Sequence, residues 1–398
     1  MRSVVFRKLR SGLWLVSAWF YLATLRLSCV SRILWCAIVS RKAPVQITYH
    51  YNTDNAAGQE YAKYYVQALE AVALLRKVSS RQRCPTSIKL LLEAGKTDHV
   101  ALFVIGGTGR HQLKIAIDSH DSAPVTSLNA YRWCDIYFKS NYWSSLGYGE
   151  KVRPIINGNG LLDQLRLRHI AQLREFPHDF DISCIVRIWA GPSFDPVHCL
   201  ELLTQVSKID CRKFILAVFC GFEGMDQQLE GYIGLCTTHS IPYTLEPIDY
   251  NRMIHISARS RVVVLRNGVS SCIPWRFLDM LCLGACVVFD HDPVVSWPHP
   301  LVRNQHYLSL DLFPPALWPM LEAQGASPKA CGDHDVAERL TAYLDREDLL
   351  ENVRRNAVGY YLSNCAPRQL GDYVLSVAGA QPLAEYCATS HAARAGSN

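Results

Sequence analysis

The stretch IPWRFLDMLCLGACVVFD, residues 273–290, contains a cation and a carboxylate in what is otherwise an apolar helix followed by an apolar strand. Pro274 suits the first helical position, and the free N–H groups at a helix start favour an anion. Arg276 would add positive charge at that end, and Asp279 could accept hydrogen bonds from sugar hydroxyls. A phosphate site beside a polyol site is what a nucleotide sugar requires. Since Arg276 and Asp279 are i, i+3 neighbours, a surface ion pair is the alternative interpretation.

The strand that precedes this stretch is expected to end at the same site. RVVVL, residues 261–265, predicts a buried strand, and ligands of open parallel sheets bind beyond the carboxyl ends of the strands. The residues that follow this strand are therefore candidates for binding the same ligand. They are Arg266, Asn267, Gly268, Ser270 and Ser271.

Two other predicted strands end in residues suited to the same chemistry. ISCIVRIWAG, residues 182–191, ends at Gly191 and contains Arg187, which either binds the ligand or lies at the edge of the core. DIYF, residues 135–138, is followed by Lys139, which either contacts phosphate or is a plain surface lysine.

Candidates for a general base follow the strand LKIAID, residues 113–118. Asp118, His120 and Asp121 would face the cleft, and a positioned carboxylate or imidazole can deprotonate an acceptor hydroxyl. The alternative interpretation is a polar turn with capping residues.

The elements that must position these residues alternate between strand and helix. This pattern predicts two α/β domains, over residues 43–176 and 177–380, and the second series of strands and helices predicts a parallel sheet with helices on both faces. No internal repeat of solenoid period is present. Residues 381–398, rich in Ala, Ser and Gly, are expected to form a flexible tail.

Three local assignments in the first domain depend on periodicity alone. Residues 52–78 predict one long helix, and residues 87–94 predict a strand. GGTGR, residues 106–110, resembles a phosphate-binding loop, but a strand rather than a helix follows it. We therefore predict a hairpin turn there.

Composition excludes several classes of protein. Hydrophobic residues make up 49% of the 398, so each domain can bury a core. The net charge is +6, and residues 1–42 contain eight Lys or Arg and no Asp or Glu, which leaves a nearly neutral body. Nucleic-acid binding is therefore not expected. The 15 cysteines are scattered without a CxxC pair, which favours free thiols in a reducing compartment over disulfides or structural zinc.

The amino-terminal segment, residues 1–42, is apolar, basic and rich in tryptophan. Its apolar run GLWLVSAWFYLATL has 14 residues, whereas a spanning helix needs about 20. An interfacial amphipathic anchor fits this pattern best. A transmembrane helix with snorkelling arginines and a signal-like start are the alternatives.

The run from Asn267 to Asp292 resembles the carboxyl-terminal half of GT-B glycosyltransferases, in particular exostosin-like and glycosyltransferase-family-1-like domains. There a Pro-x-Arg-x-x-[Glu/Asp]-x-x-x-x-Gly motif precedes a valine-rich strand. Pro274, Arg276, Asp279 and Gly284 occupy those places, with Asp279 where Glu is more usual. Two later segments also resemble these families: NQHYLSL and LLENVRRNAVGYYLSNCAPRQLGDYVL. In the first half of the chain, only the segment WCDIYFKSNY resembles them.

The resemblance implies a GT-B-like fold, with two Rossmann-like α/β domains facing across a cleft. It implies donor binding by the carboxyl-terminal domain and acceptor binding by the amino-terminal one. DHD, residues 290–292, is the kind of Asp-x-Asp pair that holds Mn²⁺ in GT-A enzymes, but GT-B enzymes usually need no metal. We therefore predict neither a metal site nor a cofactor.

The function expected from these observations is transfer of a sugar from a nucleotide-diphosphate sugar to a glycan or lipid-linked acceptor. The protein would be membrane-associated at the cytoplasmic face, with a type II protein of the Golgi lumen as the alternative. Two rival functions are a catalytically inactive scaffold or sugar-binding subunit, and a nucleotide-sugar epimerase. The latter would need no membrane segment.

Overall fold

The computed structural model describes residues 46–51, 56–79, 99–106, 112–159, 162–190, 196–268, 271–312 and 336–379. These residues form two α/β domains, each containing a six-stranded sheet. The predicted two-domain α/β architecture is therefore present.

The amino-terminal domain has the strand order β2-β1-β3-β4-β5-β6. Its strands are β1 (Gln46–Tyr51), β2 (Leu74–Ser79), β3 (Val100–Gly106), β4 (Leu113–Asp118), β5 (Ile136–Lys139) and β6 (Val152–Pro154). Its helices are α1 (Ala56–Glu70), α2 (Leu128–Trp133) and α3 (Gln164–Gln172), with 3₁₀ turns at Ser144–Leu146 and Leu173–Glu175.

This sheet is mixed, because one of its strands runs antiparallel to its neighbours. β3 pairs antiparallel with both β1 and β4. A connection as short as that between β3 and β4 requires an antiparallel pair, because a parallel pair needs a long crossover. The antiparallel pairing agrees with the predicted hairpin, although residues 107–111 lie outside the described residues.

The long helix predicted over residues 52–78 is wrong at its end. α1 stops at Glu70, and residues 74–79 form β2, which pairs in parallel with β1. Apolar periodicity cannot distinguish a short strand from the continuation of a helix. Here the segment pairs with β1 and forms the strand at the edge of the sheet. The strand predicted over residues 87–94 lies outside the described residues.

The carboxyl-terminal domain has a parallel sheet of order β12-β11-β10-β7-β8-β9. Its strands are β7 (Phe180–Trp189), β8 (Lys213–Cys220), β9 (Tyr243–Thr244), β10 (Ser260–Leu265), β11 (Val287–Phe289) and β12 (Leu308–Ser309). Its helices are α4 (Pro196–Ser207), α5 (Asp226–Thr238), α6 (Tyr250–Ala258), α7 (Arg276–Leu283), α8 (Val336–Leu344) and α9 (Glu347–Tyr360).

Read from β9, this is the doubly wound order 3-2-1-4-5-6. In such sheets the strand order reverses between the first and fourth strands, here β7 and β10, and ligands bind outside the carboxyl ends of the strands at that point. The fold therefore places the ends of β7 and β10 at the position where a ligand crevice is expected.

The last helix packs against the amino-terminal domain. A π-helical turn at Tyr361–Cys365 follows α9, and α10 (Pro367–Val377) then lies on α1. The Tyr64 hydroxyl donates to the Cys365 carbonyl at 2.9 Å, and the Tyr373 hydroxyl donates to the Pro154 carbonyl at 2.7 Å. The two domains are thus joined at their seam by residues 361–377.

The predicted membrane-associating segment, residues 1–42, and the predicted tail, residues 381–398, lie outside the described residues. Within the described part of the chain, no helix combines the length and the apolar character needed to cross a membrane.

Gly371 is the point of closest approach between α10 and α1, and we expect Gly371→Ala to destabilise the fold. A Cβ there would lie 2.2 Å from the Ala68 carbonyl oxygen and 2.8 Å from Val72 Cγ2. Because a backbone atom cannot move aside, the helices must separate, which costs about 1–3 kcal/mol. Gly359→Ala in α9 is the matched control, since its Cβ would meet nothing within 4 Å. Chemical denaturation measures the free energy of unfolding of both variants, and equal values would contradict this packing.

Candidate active site

A cavity of about 480 Å³ lies between the two domains, beyond the carboxyl ends of β7 and β10. Most of its lining belongs to the carboxyl-terminal domain, and Asp121 and Asn159 come from the amino-terminal one. The structure brings seven of the predicted site residues together around this cavity. They are Asp121, Arg187, Arg266, Asn267, Gly268, Pro274 and Arg276.

The other predicted residues are placed elsewhere. Gly191 and Ser270 lie outside the described residues. The remaining predictions lie behind or beside the cavity rather than in its lining: Asp118, His120, Lys139, Ser271 and Asp279.

Arg276 begins α7 and is partly exposed to the cavity. One Nη donates to the Ile185 carbonyl at 3.0 Å, and the other lies 3.5 Å from Met253 Sδ. Burial lowers the pKa of Arg276 to about 10, and the charge of Arg187 acts in the same direction. Two guanidinium groups therefore repel each other at this wall of the cavity.

Arg187 lies near the end of β7, with its guanidinium 5.6 Å from the ring centroid of Trp189. Among the described residues, neither Arg187 nor Arg276 forms an ion pair with a carboxylate. The interpretation of Arg276 and Asp279 as a surface ion pair is therefore wrong. The cavity presents positive charge that an anion would neutralise.

The first turn of α7 adds to the positive electrostatic potential in the cavity. No side chain of the described residues caps its amino end, which faces the cavity through Pro274, Trp275 and Arg276. Its other end stops at Gly284, whose φ of 71° is left-handed. There Arg174 donates to the Cys282 carbonyl at 3.0 and 2.6 Å. Both ends of α7 are thus arranged to suit its dipole if an anion binds at the start.

Asp279 is fully buried and does not line the cavity, although we predicted that it contacts the sugar directly. Its two oxygens accept from Asn159 Nδ2 at 2.8 and 3.0 Å, and the Tyr250 hydroxyl lies beside them. Burial raises the pKa of Asp279 to about 7, although the neighbouring Tyr250 and Asn159 act in the opposite direction. Asp279 therefore holds Asn159, which does line the cavity.

Asp118 and Lys139 form a buried ion pair at 3.2 Å. Asp118 also accepts from the His120 backbone N–H at 2.9 Å, the Thr126 hydroxyl at 2.8 Å and the Tyr137 hydroxyl at 2.7 Å. Burial lowers the pKa of Lys139, and Asp118 partly offsets this. Lys139 is therefore neither a surface lysine nor a phosphate ligand. It fixes the loop after β4 by donating to the His120 carbonyl at 2.8 Å.

Asp121 is the member of the predicted catalytic trio that lines the cavity. It is half-buried, and burial raises its pKa, whereas a hydrogen bond from the Cys272 thiol and the nearby His120 and Lys139 act to lower it. His120 instead accepts from the Ser122 backbone N–H at 3.0 Å. Of these three residues, Asp121 is thus the one placed to meet a ligand in the cavity.

A buried network supports the loop after β10, and we did not predict it. The backbone N–H and side-chain amide of Asn267 donate to one Asp290 oxygen at 2.9 and 3.0 Å. His198 Nε2 lies 3.1 Å from the other oxygen, and His291 Nε2 lies 3.3 Å from the Ser271 hydroxyl. Burial raises the pKa of Asp290, but His291 and His198 outweigh it and hold the pKa below its usual range.

The same groups bear on metal binding. The ligand atoms of His198, Asp290 and His291 lie within 4.8 Å of one another, so this set could hold a metal ion. Asp292 lies apart from it, with one carboxylate oxygen 3.3 Å from Arg303 Nη1. The two carboxylates of DHD therefore have different partners.

Sequence reasoning also missed Asn157 and Asn159 in the amino-terminal domain and Tyr250 at the start of α6. The asparagines lie in the run NGNG, which begins three residues after the end of β6. A polar run after a predicted strand was the available signal for them. The sequence carried no such signal for Tyr250, because an aromatic residue at a helix start is common in cores.

Comparisons with known proteins were made at three levels. No protein-family model and no curated protein matches the chain. Among solved structures, a glycosyltransferase from Rickettsia africae is 10% identical, with 84% of this chain and 96% of that chain covered and a TM-score of 0.45. The Anabaena protein HepE, solved with UDP and glucose, is 10% identical, with 62% of this chain and just under two thirds (64%) of that chain covered and a TM-score of 0.39.

A third similar structure is the carboxyl-terminal domain of a glycosyl transferase group 1 family protein, LpcC, from Francisella tularensis. It is 12% identical, with 49% of this chain and 90% of that chain covered and a TM-score of 0.29. All three TM-scores and identities are low, so the function proposed below is based on the geometry of the cavity.

Proposed function

We propose that the protein is a glycosyltransferase that moves a sugar from a nucleotide-diphosphate sugar to a glycan or lipid-linked acceptor. The observation that carries the proposal is the pair Arg187 and Arg276, which face one cavity without an ion-pair partner among the described residues. A diphosphate placed between them would remove their repulsion. Guanidinium groups bind phosphate oxygens in a bidentate manner, and the uncapped start of α7 adds N–H donors.

The rest of the cavity suits a nucleoside and a sugar. Its volume lies within the usual range of small-molecule sites. Trp189, Tyr250 and Ile248 supply flat or apolar wall, and Asn159 and Asn267 supply polar groups that can fix orientation. A ligand with an anionic part for the two arginines and a ring system for the apolar wall therefore fits the cavity better than a simple anion does.

The proposed mechanism uses both domains. Arg276 and the first turn of α7 stabilise the negative charge that develops on the departing diphosphate. Asp121, on the wall supplied by the amino-terminal domain, takes the proton of the acceptor hydroxyl as its oxygen attacks the anomeric carbon. This assignment corresponds to inversion at that carbon. If configuration is retained, the leaving phosphate takes the proton instead.

Membrane association is part of the proposal and is supported by the apolar, basic and tryptophan-rich segment of residues 1–42. It would bring the active site to a lipid-linked acceptor at the cytoplasmic face. A Golgi lumen location is the alternative. We propose that neither a metal nor an organic cofactor is needed, since the two arginines supply the positive charge that a metal would provide.

The test is thermal denaturation of the full chain with UDP, GDP, CDP and ADP, and with the matching monophosphates and nucleosides as controls. We expect one diphosphate to raise the midpoint, because a ligand at about 100 times its Kd adds about 2.7 kcal/mol of stability. The monophosphate should act weakly and the nucleoside not at all. A folded protein that responds to no diphosphate would refute the proposal.

Product analysis with the matching nucleotide sugar separates the rival functions. A transferase releases nucleoside diphosphate only when an acceptor is present and yields a new glycoside. An epimerase yields an isomeric nucleotide sugar without an acceptor, and an inactive scaffold binds without turnover.

A further inference from the structure

Two asparagines of the amino-terminal domain grip the first turn of α7. Asn157 Nδ2 donates to the Ile273 carbonyl at 2.6 Å, and Asn159 Nδ2 donates to both oxygens of Asp279 at 2.8 and 3.0 Å. Ile273 lies three residues before Arg276, and Asp279 lies three residues after it. The hydrogen bonds therefore hold the backbone on both sides of the arginine that faces the cavity.

The segment that carries the asparagines, residues 155–159, is itself fixed. All five of its residues are buried. The Tyr65 hydroxyl donates to the Ile156 carbonyl at 3.1 Å and accepts from the Gly158 N–H at 3.2 Å. A Cβ at Gly158 would lie 3.0 Å from Tyr64 Cβ and 3.2 Å from the Tyr65 ring, so the segment lies tightly against α1.

These bonds are strong enough to matter for the position of α7. A buried polar group that loses its hydrogen-bond partner is destabilised, because it keeps the cost of its burial without the bond. Asp279 is such a group, because it is fully buried and accepts from Asn159 with both oxygens. Separating the domains would strip it of this partner. Docking of the domains therefore supplies hydrogen bonds on both sides of Arg276.

We propose that Asn157 and Asn159, together the asparagine clamp, are positioning residues that complete the anion site at Arg276 when the two domains dock. The amino-terminal domain thus positions Arg276 through two neutral side chains. A reciprocal effect follows by linkage, since a ligand bound at Arg276 strengthens docking by the factor by which docking strengthens its binding. The hydrogen bonds of the two asparagines are present whatever ligand binds, whereas the choice of a nucleoside diphosphate as the probe rests on the function proposed above.

The experiment compares full-length variants by calorimetric titration with the nucleoside diphosphate that binds the wild type. Asn157→Ala and Asn159→Ala should each weaken binding about tenfold or more. Tyr373→Phe is the matched control, because it removes another hydrogen bond of the same seam, to Pro154, that does not touch α7. We expect its affinity to stay within about twofold of the wild type.

A charge swap gives a second test that keeps side-chain volumes. Asn159→Asp alone faces Asp279 with a second carboxylate and should weaken binding about 100-fold or more. Adding Asp279→Asn restores one amide and one carboxylate and should recover most of that loss. If Asn159→Ala fails to fold, the charge swap still tests whether the contact between residues 159 and 279 supports ligand binding.

Amide hydrogen exchange of residues 276–283 in the same variants is the readout that needs no ligand. Faster exchange in Asn159→Ala than in Tyr373→Phe supports the clamp, even if the wild type binds no nucleotide and the proposed function fails. Three results would overturn it: unchanged affinity and exchange in both alanine variants, equal losses in Tyr373→Phe, or no recovery in the charge swap.

Discussion

Arg276→Met is expected to weaken nucleoside-diphosphate binding strongly while leaving the protein at least as stable as the wild type. The guanidinium lies in the cavity wall beside the first turn of α7, and its loss removes charge-assisted bonds to phosphate worth about 2.7 kcal/mol or more, which is about 100-fold in Kd. Stability should not fall, because a charge without an ion-pair partner is replaced by an apolar side chain of similar length. Titration calorimetry and thermal denaturation measure the two effects.

Two further arginine variants make this prediction specific. Arg276→Lys keeps a charge but loses the planar fork, so binding should be weakened but still measurable. Arg212→Ala is the control, since this arginine is exposed at the start of β8, away from the cavity, and pairs with Asp181 at 3.1 Å. Wild-type affinity in Arg276→Met would mean that the cavity binds its anion elsewhere.

Asp121→Asn is expected to lower kcat for sugar transfer about 10²–10⁴-fold with little change in nucleotide affinity. The amide keeps the shape of the carboxylate but cannot accept the proton of the acceptor. His120→Gln, which alters the rival base without touching the cavity lining, should keep activity within a few-fold. Steady-state kinetics with separate titration of donor and acceptor distinguish these outcomes.

The pH profile gives an independent check on Asp121. A base must be deprotonated to work, so the rate falls as the pH drops through its pKa. Because burial raises this pKa, the acid limb of kcat should lie above the ordinary range of an aspartate. Removing the Cys272 thiol, which acts to lower the pKa, should move the limb to still higher pH. Activity in Asp121→Asn close to the wild type would instead favour the leaving phosphate as the base.

Much of the cavity could be predicted from the sequence because it is built from strand ends. Arg187 near the end of β7, Arg266 to Gly268 after β10 and Arg276 at the start of α7 follow from local patterns. In a doubly wound sheet those ends meet at one point, so local assignments were enough to bring the residues together.

The partners of the buried charges could not be predicted in the same way. Asp118 and Lys139 pair because they occupy matched positions of the neighbouring parallel strands β4 and β5, and the order of strands is not visible in the sequence. Asp279 was assigned to the sugar because its partner Asn159 lies 120 residues away in the other domain. Both errors concern tertiary pairing rather than residue chemistry.

The return of α10 to the amino-terminal domain has a consequence for how the chain folds during synthesis. Tyr64 and Ala68 on α1 contact residues of the segment 361–377, which is made some 300 residues later. Domains usually fold as units while the chain emerges from the ribosome, amino-terminal first. Here the first domain keeps an apolar face of α1 uncovered until α10 has been synthesised. The nascent chain thus has a long interval of aggregation risk, and a chaperone that binds apolar helices would be needed most during that interval.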